Sequence, residues 1–598
     1  MRHPHRQQEG HRVTAPCKSD RAYLKGHGHP ILVSIMTGLG YSSLSRSRCP
    51  WAISAHEAIS SHCIPASARI FYSSMGLDEP LAQDGKEIPC GNGSFMILEH
   101  MVSGRYFPSS STDEKRSRKL RASVGIHARG VEGRGGMARM RLLMSIVLAL
   151  MLWAGNVVCS WAQPAQATPE PSPAIQTASP PGIPKIDSGD TAWLLTSSAL
   201  VLLMTAPGLA LFYGGMVRQK NALATIMQSF IIMALISVQW VLWGYSLAFG
   251  PDKAGIVGGL DWIGLRGVDL APGPYSDTVP HQAYMLFQLM FAIITPALIT
   301  GTFAERMKFS AFLLFTLLWA TLVYDPLAHW VWGKGGWLGS LGALDFAGGT
   351  VVHISSGISA LAAALVIGKR RGFGHEPMPP HSLPLTVAGA ALLWFGWFGF
   401  NAGSALSAGA LATSAFVATN TAAASAALAW MFSEWAMRGK PTVLGAASGA
   451  VAGLVAITPA SGFVGPLAAI IIGTVAGFLC YNACNLKTRL AYDDSLDVVG
   501  VHGVGGTWGA VATGLFATKT INPAGADGLF YGNPSQLWNQ CIAIFASWGL
   551  GFVVTFVILK VLDAIVGLRV SDEEEVEGLD ISQHSETAYS LGGAIFRE

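Results

Sequence analysis

A succession of apolar runs, each about 20 residues long, fills the chain from Thr191 almost to its C-terminus. Each run is long enough to cross the ~30 Å hydrocarbon core of a bilayer as an α-helix. Backbone N–H and C=O groups cannot stay unpaired in lipid, so such a chain folds as a bundle of membrane-spanning helices. The predicted spans are 191–214, 222–249, 282–303, 309–332, 345–367, 383–404, 411–436, 442–459, 464–486, 500–517 and 537–565. We therefore expect an all-α polytopic membrane protein with eleven transmembrane helices.

The composition excludes two other classes of protein. Of the 598 residues, 51% are hydrophobic and only 13% are charged. Soluble domains carry about 25% charged residues, so a large soluble enzyme does not fit this chain. The formal net charge is +3, which provides no extended basic surface, and we expect no nucleic-acid partner.

The N-terminal part of the chain differs from the rest. Residues 1–136 show no sustained helical or strand period. Residues 137–162 then combine a basic start, an apolar run and the small-residue site Ser160-Trp-Ala162, which is typical of a secretory signal peptide. Such a peptide acts only at a nascent N-terminus. We therefore expect translation to start at Met137 or Met140, with 1–136 a mis-annotated or disordered extension. The alternative is a genuine cytosolic extension followed by a short membrane anchor.

The distribution of basic residues predicts the orientation in the membrane. The connections that follow odd-numbered spans carry Arg218, Lys220, Arg306, Lys308, Lys369, Arg370, Arg371, Arg438, Lys440, Lys487 and Arg489. The opposite set carries only Lys253, Arg266, Lys334 and Lys519. Basic connections stay in the cytoplasm, so the N-terminus is expected outside and the C-terminus inside. A cleaved signal peptide requires the same orientation.

Ionisable residues inside membrane spans are costly and therefore informative. Asp345 precedes His353 by eight positions at the fifth span, and Asp494 precedes His502 by eight positions at the tenth. At 1.5 Å per residue, each histidine lies about 12 Å along its helix from the aspartate. The two spans run in opposite directions, so both histidines are expected near the bilayer midplane, approached from opposite sides.

An odd number of spans separates the two copies, which is the arrangement of inverted repeats. We expect two five-helix repeats with one appended helix. The predicted organisation begins with a Pro/Ala/Ser-rich linker at 163–190. A membrane domain at 191–567 follows, with repeats 191–368 and 383–518 and a last helix at 537–565. A cytoplasmic tail is predicted at 568–598.

Two histidines near the midplane allow three interpretations. They could be core imidazoles whose hydrogen bonds are satisfied by neighbouring groups, or ligands of a metal in an intramembrane metalloenzyme. Zinc requires three or four ligands, and neighbouring spans offer no third histidine or cysteine. The third interpretation is an imidazole pair that shares a proton or hydrogen-bonds a small polar permeant. Asp345 and Asp494 are expected to cap their helices, and Asp345 could instead order an external cation site.

Several motifs surround these spans. They are Ala210-Leu-Phe-Tyr-Gly-Gly215, Phe287-Gln288 with Phe291, His329-Trp-Val-Trp332-Gly and Gly396-Trp-Phe-Gly-Phe400-Asn-Ala-Gly-Ser404. Together with the segments around the two histidines, they resemble the ammonium transporter (Amt/Rh) family and specifically its bacterial Amt branch. The resemblance covers about residues 190–590.

The resemblance implies a role for each candidate residue. The external substrate-recruitment site would be formed by Phe291, Trp332 and Ser404, with Asp345 in support. A phenyl gate of Phe291 and Phe400 would lie below it, and His353 and His502 would line the pore. Aromatic faces attract a small cation by cation–π contact worth about 0.5–2 kcal/mol each. The family implies no metal and no cofactor.

The function implied is ammonium uptake, and the protein is expected to be a transporter and not an enzyme. Ammonium, with methylammonium as its analogue, would bind outside and lose a proton near the gate, because desolvation makes that proton easier to lose. Ammonia would then pass the histidines, with separate proton transfer left open. The alternatives are an Rh-like channel for neutral ammonia and a non-conducting ammonium sensor.

The resemblance also implies partners and a location. The family's cytoplasmic tail contains a stretch similar to Glu577-Gly-Leu-Asp580, followed here by His584 and Tyr589. In the family this tail packs under the pore and couples the subunits of a homotrimer. A PII-type signal protein at the cytoplasmic face and a bacterial inner (cell) membrane location are implied as well.

Overall fold

The computed structural model describes residues 185–589. The predicted extension 1–136, the signal peptide 137–162, the linker up to residue 184 and residues 590–598 lie outside the described residues. The described chain is predominantly helical. Its helices are α1 (Ser188–Met216), α2 (Gln219–Phe249), α3 (His281–Phe303), α4 (Phe309–Leu341), α5 (Gly349–Ile367), α6 (Leu383–Gly403), α7 (Ala410–Arg438), α8 (Val443–Ile457), α9 (Pro466–Leu490), α10 (a π-helical turn Val499–Val504 continued by Gly505–Phe516), α11 (Pro534–Ile565), α12 (Asp572–Glu577) and α13 (Leu579–His584).

Within residues 185–589, nine helices are long and apolar enough to cross a membrane: α1 to α7, α9 and α11. Helix α8 is apolar but shorter, and α10 is not among the nine. A helix lies at each of the eleven predicted positions, with ends that differ by at most four residues, except that α4 continues past the predicted residue 332 through the short segment Trp337–Leu341. The coarse prediction of a helical membrane protein is therefore correct, whereas the number of eleven crossings stays a prediction.

Five of these helices contain a π-helical segment, which the sequence pattern did not predict. The segments are Met204–Leu209, Trp240–Gly244, Ala320–Tyr324, Gly349–Ile354 and Val499–Val504. Pro207 lies inside the first and has no N–H to donate, which interrupts the α-helical pattern there. A π-helical turn is a local widening of an α-helix, and such turns are frequent at functional positions. The last two segments contain His353 and His502.

Small residues let the central helices approach each other closely. Helix α3 is almost entirely buried, with α5 packed against it. Gly357 of α5 faces Gly503 of α10, and a Cβ atom built on Gly357 would lie only 2.1 Å from the backbone nitrogen of Gly503. This backbone-to-backbone contact is typical of membrane helices that pack through glycine. It brings the segments that carry the two histidines together.

A buried ionic cluster joins the connections at one end of the bundle. The Arg370 guanidinium donates to both carboxylate oxygens of Asp493, at 3.0 and 2.9 Å. Arg306 is fully buried and donates to the Asp493 backbone carbonyl at 2.6 Å. Glu305 accepts from Arg218 at 2.7 Å. The cluster therefore ties loops of both predicted repeats to one another.

Short strands and the tail complete the described chain. The connection between α2 and α3 contains two two-stranded antiparallel sheets, an addition to the expected all-α fold. The strands are β1 (Asp252–Lys253), β2 (Val257–Gly258), β3 (Pro272–Gly273) and β4 (Ser276–Pro280). In the tail, the Asp580 carboxylate accepts from the N–H groups of Leu223 and Ala224 at 3.1 and 2.8 Å. The tail thereby supplies a carboxylate to the N-terminal end of α2, where the helix dipole favours it.

Candidate functional site

Two phenyl rings pack against each other between α3 and α6. The ring centroids of Phe291 and Phe400 are 4.3 Å apart, with an angle of 36° between the ring planes. Both side chains are buried. Phe287 lies one turn before Phe291 and meets its ring edge-on at 5.0 Å.

Trp332 stands against the same phenyl ring. Its indole meets Phe291 nearly perpendicularly, at 5.8 Å between centroids, and is only partly buried. The indole N–H donates to the backbone carbonyl of Asp345 at 2.9 Å, which fixes the ring orientation. Two aromatic rings therefore meet edge to face, at a position where the Trp332 side chain is partly exposed.

The Asp345 carboxylate is engaged with the start of α5. It accepts from the backbone N–H groups of Gly348, Gly349 and Thr350 at 2.6–2.7 Å, and from the Thr350 hydroxyl. A carboxylate at this position satisfies otherwise unpaired N–H groups of the helix end. Asp345 thus contacts Trp332 through its backbone and holds the helix start with its side chain.

Ser404 follows Phe400 by one turn at the end of α6. Its hydroxyl donates to the Phe400 carbonyl at 2.9 Å, and the side chain is partly exposed. Because the hydroxyl proton is used in that bond, the oxygen presents its lone pairs outward as an acceptor. The residue is therefore suited to accept from an N–H donor near the aromatic pair.

The two histidines meet behind the phenyl pair. The Nδ1 atoms of His353 and His502 are 3.3 Å apart, and the ring centroids are 5.4 Å apart. His353 also lies 6.1 Å from the Phe400 ring. The Asp494 carboxylate accepts from the N–H of Val499 at 2.8 Å, so an aspartate holds the start of α10 much as Asp345 holds that of α5.

Two narrow cavities adjoin this pair. The first is bounded by Phe400, His353 and His502, and the rest of its wall is mainly apolar. The second shares His502 with the first and extends to Ser448 and Asp497 near the start of α10. The two cavities therefore meet at His502, and the first of them reaches the ring of Phe400.

Two further side chains support the histidines, and the sequence reasoning missed them. Trp397 stacks on the His353 ring at 5.4 Å, and the Thr458 hydroxyl lies 3.3 Å from His353 Nε2. Trp397 occurs within the motif quoted for α6, but a tryptophan in a membrane span is not distinctive. Thr458 carries no sequence signal, because its position beside the pore depends on how α8 packs.

A family model and several known proteins match this chain. A model of the Ammonium Transporter Family matches residues 192–589. The chain belongs to the ammonium transporter family. It is 57% identical over 402 residues to the ammonium transporter of Bacillus subtilis (strain 168), covering 67% of this chain and 98% of that protein. It is 52% identical over 408 residues to ammonium transporter Amt1 of Archaeoglobus fulgidus, covering 68% and 100%.

Solved structures of the ammonium transporter family share the fold. Mep2 of Saccharomyces cerevisiae matches with a TM-score of 0.61 at 38% identity, covering 65% of this chain and 89% of that one. Mep2 of Candida albicans matches with a TM-score of 0.62 at 39% identity, covering 65% and 88%. A structure titled Sensor Amt Protein also matches, with a TM-score of 0.61 at 30% identity, covering 66% and 98%.

Proposed function

We propose that this ammonium transporter family member takes up ammonium by recruiting the ion at Trp332, Phe291 and Ser404 and conducting ammonia past His353 and His502. The observation that carries the proposal is the histidine pair in an apolar cavity directly behind the stacked phenyl rings. Curated relatives named ammonium transporters support it at 52–57% identity.

Recruitment depends on complementary contacts to a small cation. The faces of Trp332 and Phe291 attract ammonium through their quadrupoles. The Ser404 oxygen accepts one N–H donor, which favours ammonium over potassium because potassium has no hydrogen to donate. Asp345 supports the site by orienting the Trp332 indole through its backbone carbonyl.

Deprotonation follows from desolvation. Between the rings of Phe291 and Phe400 the ion loses hydration that aromatic contacts replace only in part, so the charged form becomes costly. Ammonia continues as the neutral species and hydrogen-bonds the imidazole pair formed by His353 and His502. We extend the proposal to a separate transfer of the proton along the histidine pair, which would make transport electrogenic.

The topology belongs to the same proposal. We place eleven crossings, including α8 and α10, in two inverted five-helix repeats with α11 appended. The N-terminus lies outside and the tail in the cytoplasm of a bacterial inner membrane, after cleavage of the signal peptide 137–162. The assembly is a homotrimer, and a PII-type signal protein binds at its cytoplasmic face. The alternation of basic connections supports the orientation.

The test is a current measurement on the purified protein in liposomes, under separate gradients of ammonium, potassium and protons. Ammonium-driven current without potassium current is expected, and a His353→Ala variant should lose ammonium flux or its selectivity. Unchanged flux and selectivity in that variant would remove the histidines from the mechanism. Electroneutral ammonia flux would favour an Rh-like channel. Ammonium binding without flux would favour a sensor, the type named in one structural neighbour.

A further inference from the structure

The Thr458 hydroxyl is the meeting point of three buried groups. It follows the last residue of α8 and is fully buried. Its oxygen lies 2.8 Å from the Leu454 carbonyl, 2.9 Å from the indole nitrogen of Trp397 and 3.3 Å from Nε2 of His353. A hydroxyl has one hydrogen to donate and two lone pairs to accept with, so these three contacts use its full capacity.

The direction of each hydrogen bond follows from the chemistry of the partners. A carbonyl oxygen only accepts, so the Thr458 hydrogen points to Leu454. The indole N–H of Trp397 only donates, so it occupies one lone pair of the hydroxyl oxygen. The other lone pair faces Nε2 of His353, which must therefore carry a hydrogen.

The same reasoning extends to the second histidine. A neutral imidazole carries one N–H, so His353 with its hydrogen on Nε2 presents a bare Nδ1. That Nδ1 lies 3.3 Å from Nδ1 of His502, which must donate. The hydrogen of His502 is then on Nδ1, and its Nε2 is bare. Burial of both rings in an apolar cavity favours the neutral forms that this assignment requires.

We propose that Thr458 is a positioning residue that fixes the tautomers of the histidine pair, so that Nε2 of His502 is the unprotonated ring nitrogen presented to the permeant. Ammonia and ammonium carry N–H donors, so a bare nitrogen at this position is a suitable acceptor. His502 lines both cavities, whereas His353 lines only the first, so His502 is the imidazole that a permeant in either cavity can contact. The identity of the permeant rests on the proposed function, whereas the tautomer assignment does not.

The experiment compares three variants by ¹⁵N magnetic resonance of histidine-labelled protein in lipid nanodiscs. Thr458→Val has nearly the same shape but no hydroxyl, and Thr458→Ser keeps the hydroxyl. Trp397→Phe removes only the indole donor. His353→Gln and His502→Gln assign the two sets of signals.

Wild type and Thr458→Ser are expected to show a protonated Nε2 on His353 and a protonated Nδ1 on His502. Trp397→Phe should show the same pattern, since the Thr458 hydrogen still points to Leu454. Thr458→Val should show a mixture of tautomers on both rings. A bare Nε2 on His353 in wild type, or a Thr458→Val spectrum identical to that of wild type, would overturn the proposal.

A transport measurement separates this role from a purely structural one. Thr458→Val should lower the maximal methylammonium rate about twofold or more, because only part of its population has the competent tautomers. The concentration at half-maximal rate should stay unchanged, since recruitment takes place on the other side of the phenyl gate. Thr458→Ser should restore the rate.

A raised half-maximal concentration with an unchanged maximal rate would contradict the proposal. If even the wild type fails to transport, the proposed function fails while the resonance result still decides the tautomers.

Discussion

Trp332 is the side chain at which recruitment can be measured most directly. Trp332→Leu removes one aromatic face and leaves Phe291 in place. The lost cation–π contact is worth about 0.5–2 kcal/mol, which corresponds to about a 2- to 30-fold weaker affinity. We therefore expect the methylammonium concentration at half-maximal current in proteoliposomes to rise by that factor.

Trp330 provides the matched control. It packs against Trp337 at 5.6 Å and donates to the Ile256 carbonyl at 2.7 Å, so it anchors the loops and does not contact the phenyl gate. Trp330→Leu should leave the half-maximal concentration near the wild-type value. Equal shifts in both variants would show that the effect comes from loop packing and not from recruitment.

The individual side chains of the site differ in how far the sequence could predict them. His353 and His502 stand out because a histidine in an apolar span is rare and because the two occur at the same spacing from an aspartate. Thr458 could not be found, because threonine is common in membrane helices and its function arises from three contacts that only the folded chain creates. The sequence left two roles open for Asp345, which could cap its own helix or order an external cation site. In the structure its carboxylate is bound to the N–H groups of its own helix.

The crossing of α5 and α10 determines whether the histidines meet at all. In Gly357→Ala, the new methyl group would overlap the backbone of Gly503, so the helices must move apart. Overpacking of this kind costs about 1–3 kcal/mol. The separation should also lengthen the His353–His502 contact, and we expect a lower maximal methylammonium rate together with a lower melting temperature in detergent.

Gly549 of α11 is the control for this substitution. A Cβ atom at Gly549 meets nothing within 4 Å, so Gly549→Ala changes helix propensity without creating a clash. Its transport rate should stay at the wild-type level. If Gly357→Ala transports as well as Gly549→Ala, the close crossing is not needed for the pore.

The loop that precedes α10 contributes a pH-dependent term to stability. Burial by itself would raise the pKa of Asp493, but the hydrogen bonds and charge of Arg370, with the charge of Arg306, outweigh it and hold that pKa below its ordinary value of 3.8. The carboxylate therefore stabilises the fold at pH values above about 3.8, and this contribution is lost as the pH falls through the lowered pKa.

Asp493→Asn removes the carboxylate that accepts from the Arg370 guanidinium and leaves Glu305, at 3.5 Å, as the remaining charge partner of this buried side chain. Removing one partner of a buried pair costs about 3–5 kcal/mol, so the variant should melt at a lower temperature than wild type at pH 7. The difference in melting temperature between wild type and variant should narrow as the pH falls below 3.8, the ordinary pKa of an aspartate. Asp572→Asn is the control, because its pair with Arg371 is exposed and is worth about 0–1 kcal/mol. A difference between wild type and Asp493→Asn that is independent of pH would contradict the assignment.

The helices themselves were accessible from the sequence because hydropathy alone determines which segments can lie in lipid. Their ends agree with prediction within a few residues, as for α3. The π-helical segments could not be predicted from the sequence, because they depend on how neighbouring helices pack against each other in the folded chain. The short strands between α2 and α3 are too brief to leave an alternating pattern.

At the scale of the whole described chain, the tail is held against the start of α2. The ammonium group of Lys220, at the start of α2, donates to the carbonyls of Glu575 and Val576 at 2.8 and 2.6 Å. The Arg569 guanidinium pairs with the Glu575 carboxylate at 2.5 Å. These contacts place the tail at the same end of the helix bundle as the basic connections at Arg218 and Arg370. The tail and these connections must therefore face the same side of the membrane.

The orientation is therefore open to a direct measurement. In a parent protein without its native cysteines, Asn533→Cys lies in the connection before α11 and Lys440→Cys in the connection before α8. Asn533 is partly exposed and Lys440 is exposed. An impermeant maleimide added to intact spheroplasts should label Asn533→Cys and spare Lys440→Cys. Permeabilised cells should label both, and the cysteine-free parent neither. The opposite pattern would reverse the topology and place the Trp332 site in the cytoplasm, where it could serve ammonium export but not the recruitment proposed for uptake.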